Sequence, residues 1–382
     1  MNFPAYRVFL VSTIRLMRKT RASLRMKNRL ARYALGMVLG ISAVPAHALD
    51  EVTVGLTLPP TPANGSLWDF AQQLGIWQEE GIQVKTIVFN GAGAVIPQVA
   101  AKSIFTGLPS PESILQAFAA GQDLPLVYVY NQIPVNTLEF AVLEDSPIHR
   151  VEDLKNGKIG VGALTWGNIP STRAVLKDAG IKRDEYEIIP VGALNAGFTA
   201  LKRGKVDALN FNRDWNDMFE LSGNPIRHIP LPGVYGAMSL NGFVVHPDTL
   251  KSRPDLIVRF GRAYSKARIA CAANVPACVA AYWRAHPEAR PAEADVRAGK
   301  DHSLELTRRW LARFLTYPDG TPRVQGEFDI SVIRQYVHQM AVNGEFASDK
   351  VPVDRLFTNA FVKQFNQFDA EAIRARARGV TP

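Results

Sequence analysis

Short apolar runs alternate with helix-period segments from residue 52 to about residue 246, and the pattern then turns helical to the C-terminus. Val52–Thr57 reads as a strand that stops at Pro59-Pro60. The Asn64-Gly65-Ser66 cluster reads as the cap of a helix running through Leu74. After Gly81, Ile82–Phe89 alternates as a second strand. Gly91-Ala-Gly93 leads into a helix over Ile96–Ala101, followed by a short strand at Ile104–Thr106. Ser110 caps a helix over Ile114–Ala120, and Leu124–Tyr130 is a buried strand. A second run of the same kind starts near Thr137. It has strands over Leu138–Leu143, Lys158–Ala163, Tyr186–Val191 and Val206–Phe211, with helices over Pro170–Ala179 and Ala196–Lys202. Arg227–Leu231 is an edge strand, and Leu240–His246 re-enters the first lobe. Helices follow over Pro254–Ala273, Pro276–His286, Leu304–Leu315 and Asp329–Val342. Such alternation with short joints predicts an α/β protein with mostly parallel sheets and right-handed crossovers.

The two runs predict two lobes joined by two crossings, near residues 132–138 and 232–238. The expected organisation is a leader over 1–48, lobe 1 over 49–136, lobe 2 over 137–234, and a second part of lobe 1 over 235–382. Two crossings make a hinge, and the cleft between lobes is a preferred place for a small molecule.

Charge changes the picture only at the N-terminus. The formal net charge is +9, but residues 1–48 carry nine of the 44 Lys and Arg and no acid, which leaves 35 basic residues against 35 acidic ones. The basic balance is therefore no argument for a nucleic-acid partner. The leader has a basic stretch, the apolar run Tyr33–Val44 and the small-residue site Ala46-His47-Ala48. That is the layout of a secretory signal peptide cleaved after Ala48. An apolar run of twelve is short of the roughly 20 residues a membrane span needs. The leader is long, and Met1 and Met26 stand as alternative starts, either of which fits. A periplasmic product of 334 residues is expected.

Chemistry-bearing motifs are few. Gly160-Val-Gly162 and Gly91-Ala-Gly93 begin like dinucleotide fingerprints but lack the third glycine, and there is no P-loop, H-E-x-x-H or G-x-S-x-G pattern. Neither an enzyme, a cofactor nor a metal is expected. Cys271 and Cys278 are too far apart for a bridge on one straight helix, about 10 Å. Asn274 and Pro276 between them can bend the chain. A disulfide and two small buried thiols both fit.

Four segments carry a resemblance. Ser146–Val161, Leu176-Lys-Asp-Ala-Gly-Ile181, Ala200-Leu-Lys-Arg-Gly-Lys-Val-Asp-Ala208 and Leu74–Val84 follow one another in the order and spacing of periplasmic solute-binding proteins of ABC importers. The group resembled is the sulfonate/nitrate/taurine and thiamine-precursor (NMT1/THI5-like) type. The resemblance implies a two-lobed periplasmic-binding-protein (type II) fold with two hinge crossings. It also implies a small organic ligand of the sulfonate, pyrimidine or aromatic acid class, an ABC permease as partner, and a monomer. The chain departs from the pattern at Ala163–Asn168, where Trp166 replaces a small hydroxyl residue, and at Asn210–Trp215.

In that fold the ligand meets strand C-termini and helix N-termini, whose free N–H groups suit an anion. Thr165, Trp166, Gly167 and Asn168 in lobe 2 are candidates, with Asn212 and Arg213 after a later strand. In lobe 1 the candidates are Ser66 and Trp68, then Gly107, Pro109 and Ser110, then Tyr130 and Asn131. A surface charge is the alternative for Arg213, and ordinary capping or packing for the others. An enzyme on the same fold, like the pyrimidine synthase of yeast, is the competing reading, although that enzyme's cysteine-rich motif is missing. A ligand-sensing partner of a membrane receptor is a third.

Overall fold

The computed structural model describes residues 48–164, 166–297, 301–317 and 319–382. Residues 1–47 of the expected leader and Thr165 therefore lie outside the described residues. Leu49–Pro382 forms one compact unit built on two five-stranded sheets.

The first sheet takes β1 (Asp50–Leu56), β2 (Ile82–Val88), β3 (Thr106–Gly107) and β4 (Val127–Ile133). The second takes β5 (Leu138–Leu143), β6 (Lys158–Val161), β7 (Glu187–Pro190), β8 (Ala208–Asn212) and β9 (Ile226–Pro230). β10 (Asn241–Val245) returns to the first sheet, so the strand orders are β2-β1-β3-β10-β4 and β7-β6-β8-β5-β9. The chain thus crosses between sheets after β4 and again after β9.

The parallel pairs are β1 with β2 and β3, and β6 with β7 and β8. β10 and β5 run antiparallel to both of their neighbours. Four of the five strands in each sheet therefore run in one direction, as expected of mostly parallel sheets, and only β10 and β5 are reversed. β5 and β10 are the strands that follow a crossing, and each enters its sheet from the opposite end. The reason is geometric: a short crossing delivers the chain at the end where the preceding strand finished, as in a hairpin.

The helices that frame the space between the sheets are, in chain order, α1 (Pro62–Gln73), α2 (Pro111–Ala119), α3 (Ile169–Asp178), α4 (Arg213–Leu221), α5 (Pro254–Ala273), α6 (Val275–Ala285), α7 (Ser303–Leu315) and α8 (Ile330–Val342). α1, α5, α6 and α7 pack on one another and cover the first sheet, around Phe70, Trp77, Phe243, Phe260 and Trp310. Asn274 ends α5 and caps α6, its Oδ1 accepting from Ala277 N–H at 3.2 Å. The bend brings the Cα atoms of Cys271 and Cys278 to 5.2 Å, and the two sulfurs are bonded. Among the open readings of this pair, the structure holds the bridge.

One apolar cluster belongs to both lobes. It holds Ile114 and Tyr128 of the first, Phe140, Ile159 and Val175 of the second, and Ile333 and Tyr336 of α8. The C-terminal segment assigned to the first lobe therefore also clasps the second. Arg173 of α3 pairs with Glu345, and Lys177 donates to Asn343 O at 3.0 Å.

Candidate functional site

Three helix N-termini converge on a cavity of about 450 Å³ between the sheets. α1 starts at Pro62, directly after β1 and its Pro-rich turn. Pro fits the first helical position because its missing N–H would have had no intrahelical partner there. Asn64 Oδ1 accepts from Thr61 N–H at 2.9 Å and fixes the turn. α4 starts where β8 ends, and Arg213 N–H donates to Thr137 O at 2.7 Å. α7 starts at Ser303, whose N–H donates to Asp301 Oδ1 at 3.0 Å. Thr61–Asn64, Asn212 with Asp214, and His302 with Ser303 all line the cavity.

Rings and carboxamides make up much of the wall. Trp68, Trp215 and Trp310 come from α1, α4 and α7. Trp68 is held by stacking on Trp77 with centroids 5.8 Å apart and by tilting against Tyr264 at 5.1 Å. Trp215 meets Phe211 edge-on at 5.5 Å and Trp166 at 5.7 Å. The carboxamides are Asn64, Gln132, Asn212 and Asn241. Asn241 Nδ2 donates to Leu108 O at 2.7 Å. Gln132, near the end of β4, is only 4% exposed. Its Nε2 donates to the Tyr264 hydroxyl at 2.9 Å, while its Oε1 is buried without a hydrogen-bond partner.

Among the described residues no Lys or Arg lines this cavity; the titratable wall groups are Asp214 and His302. Asp214 Oδ1 pairs with Arg313 Nη1 at 2.7 Å, from behind the wall. Burial pushes the Asp214 carboxyl up to about 6, against the pull of Arg313. The pair belongs to a network joining α4 to α7. Arg309 Nη1 reaches Asp217 at 3.3 Å and Glu220 at 2.7 Å, and Arg313 also pairs with Asp217. Asp217, Glu220 and His228 offer ligand atoms within 4.8 Å of one another, the spacing of a metal site. Those carboxylates are already committed to Arg213, Arg309 and Arg313, so the cluster reads as an ion-pair network.

Of the candidate residues from the sequence, Trp68 and Asn212 line the cavity. Several others are engaged elsewhere. Ser66 lies in the second turn of α1, where its hydroxyl donates back to Pro62 O at 2.5 Å. Gly107 is small because a Cβ would come within 2.3 Å of Val95. Pro109 O accepts from the Tyr128 hydroxyl at 3.2 Å, and Ser110 caps α2 by accepting from Glu112 N–H at 3.4 Å. The Tyr130 hydroxyl is bonded to Ser265 at 2.9 Å, and Asn131 Nδ2 donates to Ser239 and Glu327 O. Trp166 covers Gly162, where a Cβ would overlap the ring, and it backs Trp215 without lining the cavity. Asn168 Nδ2 donates to Asn210 within lobe 2 at 2.6 Å. A Cβ on Gly167 would meet Ser113 Oγ of lobe 1 at 2.9 Å. Arg213, read as the cation nearest the pocket, is paired with Glu139 and Asp217 at 3.1 Å each.

The anion-binding N-terminus expected of α3 is already filled by the chain itself. Glu112 of α2 accepts from Ser171 N–H at 3.1 Å, and Ser171 Oγ lies 3.2 Å from its other oxygen. Sequence reading missed Gln132, His302 and Trp310, and reached Asp214 and Trp215 only as members of the divergent segment Asn210–Trp215. A polar pair closing an apolar strand, Asn131-Gln132, was the available signal for the first of these.

Residues 69–277 match the sequence profile described as NMT1/THI5 like, which is more than half of the 382-residue chain. This chain belongs to the NMT1/THI5-like family. Among its relatives are proteins of Brucella abortus (strain 2308) and Brucella suis biovar 1 (strain 1330), named only as binding proteins. Each is 25% identical over 199 residues, covering 51% of this chain and 57% of the relative. The chain thus spans little more than half the length of these curated relatives. The family member shares its fold with the alkanesulfonate-binding protein SsuA from Xanthomonas axonopodis pv. citri bound to MOPS. The TM-score is 0.55 and the identity 17%, over 81% of this chain and 98% of that one. The periplasmic aliphatic sulphonate binding protein SsuA from Escherichia coli gives 0.54 and 16%, over 82% and 99%. The desulfurization enzyme DSZB also has this fold, with TM-score 0.51 and 14% identity over 83% and 98%. The architecture is the two-lobed periplasmic-binding-protein fold, and at these identities the likeness concerns fold alone.

Proposed function

We propose that this family member is an exported substrate-binding protein that closes its two lobes on a small organic solute and delivers it to an ABC permease. The observation that carries the reading is the cavity of about 450 Å³ with walls drawn from both lobes and from α7. A volume of that size suits a small organic molecule. Rings and carboxamides on the wall bury an apolar body and orient polar groups on it. Closure is a hinge motion about the two crossings, stabilised by contacts that only the closed form makes. Export rests on the leader, with cleavage after Ala48, and the working form is a monomer. Among the described residues no helix is long and apolar enough to cross a membrane.

An enzyme on the same fold is the second reading, because a desulfurization enzyme shares it. Native mass spectrometry of the freshly purified chain separates the two. A co-purified solute that returns unchanged after prolonged incubation supports binding. A solute converted to a new mass supports catalysis. With no co-purified solute, and no thermal shift across sulfonates, pyrimidines and aromatic acids, the binding proposal fails.

A further inference from the structure

We propose that the cleft selects an uncharged planar solute carrying an N–H or O–H donor, and that Gln132 Oε1 is the acceptor that reads this donor. The inference rests on the solute-binding reading above and narrows its chemical class.

Among the described residues that line the cavity, Gln132 alone has a buried polar atom without a hydrogen-bond partner. A buried acceptor left unmade costs more than an ordinary hydrogen bond gains. Tyr264 takes the Nε2 side, and Gln132 lines the cavity, so a turn of its carboxamide on binding would bring the buried, unpartnered Oε1 to a solute. Trp68 packs against the same Tyr264 ring, at 5.1 Å, and also lines the cavity. A planar solute on an indole face would bring its ring edge toward such a carboxamide.

The wall discriminates against anions. Lys and Arg are absent from it among the described residues, and Asp214 is on it. Two of the three helix N-termini already carry an acid of the chain, Asp214 in the first turn of α4 and Asp301 on the first N–H of α7. These are the positions a carboxylate or sulfonate would claim. The Asp214 carboxyl is itself raised by burial although Arg313 lies 2.7 Å away, so a second negative charge there would meet an environment already short of solvation. Arg268 is buried over the rings of Tyr264, Trp310 and Phe314 and does not itself line the cavity.

The test uses matched probes on the purified chain: benzamide, benzoate and benzenesulfonate, then nicotinamide, nicotinate and pyridine-3-sulfonate, each titrated by calorimetry. The carboxamides are expected to bind at least about tenfold more tightly than the anions on the same ring, the loss that follows one unmade buried hydrogen bond. Gln132→Met should weaken carboxamide binding about tenfold, the anions staying weak because the wall is otherwise unchanged. Gln132→Glu keeps an acceptor and should retain carboxamide binding within a few-fold; where Gln132→Met fails to fold, Gln132→Ala removes the acceptor in its place and should show the same loss. Tighter binding by a carboxylate or sulfonate overturns the proposal, as does carboxamide binding indifferent to Gln132→Met. If none of the six binds but a solute co-purifies, an anionic solute overturns the proposal and an uncharged one with a donor supports it. If nothing binds and nothing co-purifies, the solute-binding reading itself has failed.

Discussion

Glu112 and Asp217 are both carboxylates buried where one lobe meets the other, at 7% and 1% exposure, and they are held in opposite ways. Asp217 of α4 faces Arg309 and Arg313 of α7 as well as Arg213 of its own helix. Glu112 of α2 faces Ser171 of α3 and Tyr336 of α8, with no Lys or Arg bonded to it among the described contacts. Burial, opposed by the Ser171 and Tyr336 hydrogen bonds and reinforced by Glu345, pushes Glu112 up to about 8. Its neighbour Arg173 is committed to Glu345. A protonated Glu112 also fits the oxygens around it. Ser171 Oγ has one hydrogen but lies 3.2 Å from Glu112 Oε2 and 3.0 Å from Asn168 O, and a proton on Glu112 lets both contacts be hydrogen bonds. One interlobe contact is therefore ionic and the other neutral. The ionic contact leaves bare buried charges if it is cut. The neutral contact can separate once Glu112 reaches water and ionises.

The largest expected effect comes from cutting the ionic side. Arg309→Ala with Arg313→Ala leaves Asp217 buried against Arg213 alone and removes the partner of Asp214. Stripping partners from a buried pair costs about 3–5 kcal/mol. Urea unfolding of the double variant should show a loss of that size. A loss under about 1 kcal/mol would mean that the network is solvated and the comparison is wrong.

Next in size is the pH dependence. The ordinary value for Glu112 is 4.5, and in the fold it is raised to about 8. Between those values the native state holds a proton that the unfolded chain has released, so stability must fall as pH rises. The contribution is complete below 4.5 and lost by about 8. Asp214, raised from 3.8 to about 6, adds a loss of the same sign at lower pH. The interval from pH 6 to 8 therefore belongs to Glu112, with a slope near 1.4 kcal/mol per pH unit at most. Glu112→Gln should flatten this interval in denaturation curves taken across it. An unchanged slope would place the proton elsewhere.

The smallest effect is a control outside both contacts. The Cys271–Cys278 bridge closes a short loop, with a sequence separation of 7, between α5 and α6 in the helical cover of the first lobe. Such a loop contributes about 2 kcal/mol in the chain-entropy account. Cys271→Ala with Cys278→Ala should lower stability by roughly that amount and leave the pH 6 to 8 slope untouched. A changed slope would show that the contacts are not independent of the helical cover.

Much of this architecture was legible in the sequence. Strand-length apolar runs and helix-period segments are local signals, and the spans from β1 to β10 fell within a few residues of their expected places. What depended on distant pairing was not legible. The antiparallel entry of β5 and β10 follows from where a crossing ends, which no window of residues records. Thr61-Pro62 was a readable helix start, but the polar Asn64-Gly65-Ser66 cluster three residues on looked stronger. Trp310 and His302 reach the cavity from a segment far beyond the first crossing, where local periodicity gives a helix but not its neighbour. The Glu112–Ser171 contact, 59 residues apart, inverted a sound expectation: the α3 N-terminus does hold an anion-type group, and the chain supplies it.

The central claim is that both lobes and α7 grip one solute. Hydrogen–deuterium exchange with and without the tightest-binding probe measures this directly. Protection is expected together at residues 57–64, 212–218 and 302–310. Protection confined to one lobe, or appearing only on the outer surface around Arg173 to Tyr186, would contradict the account.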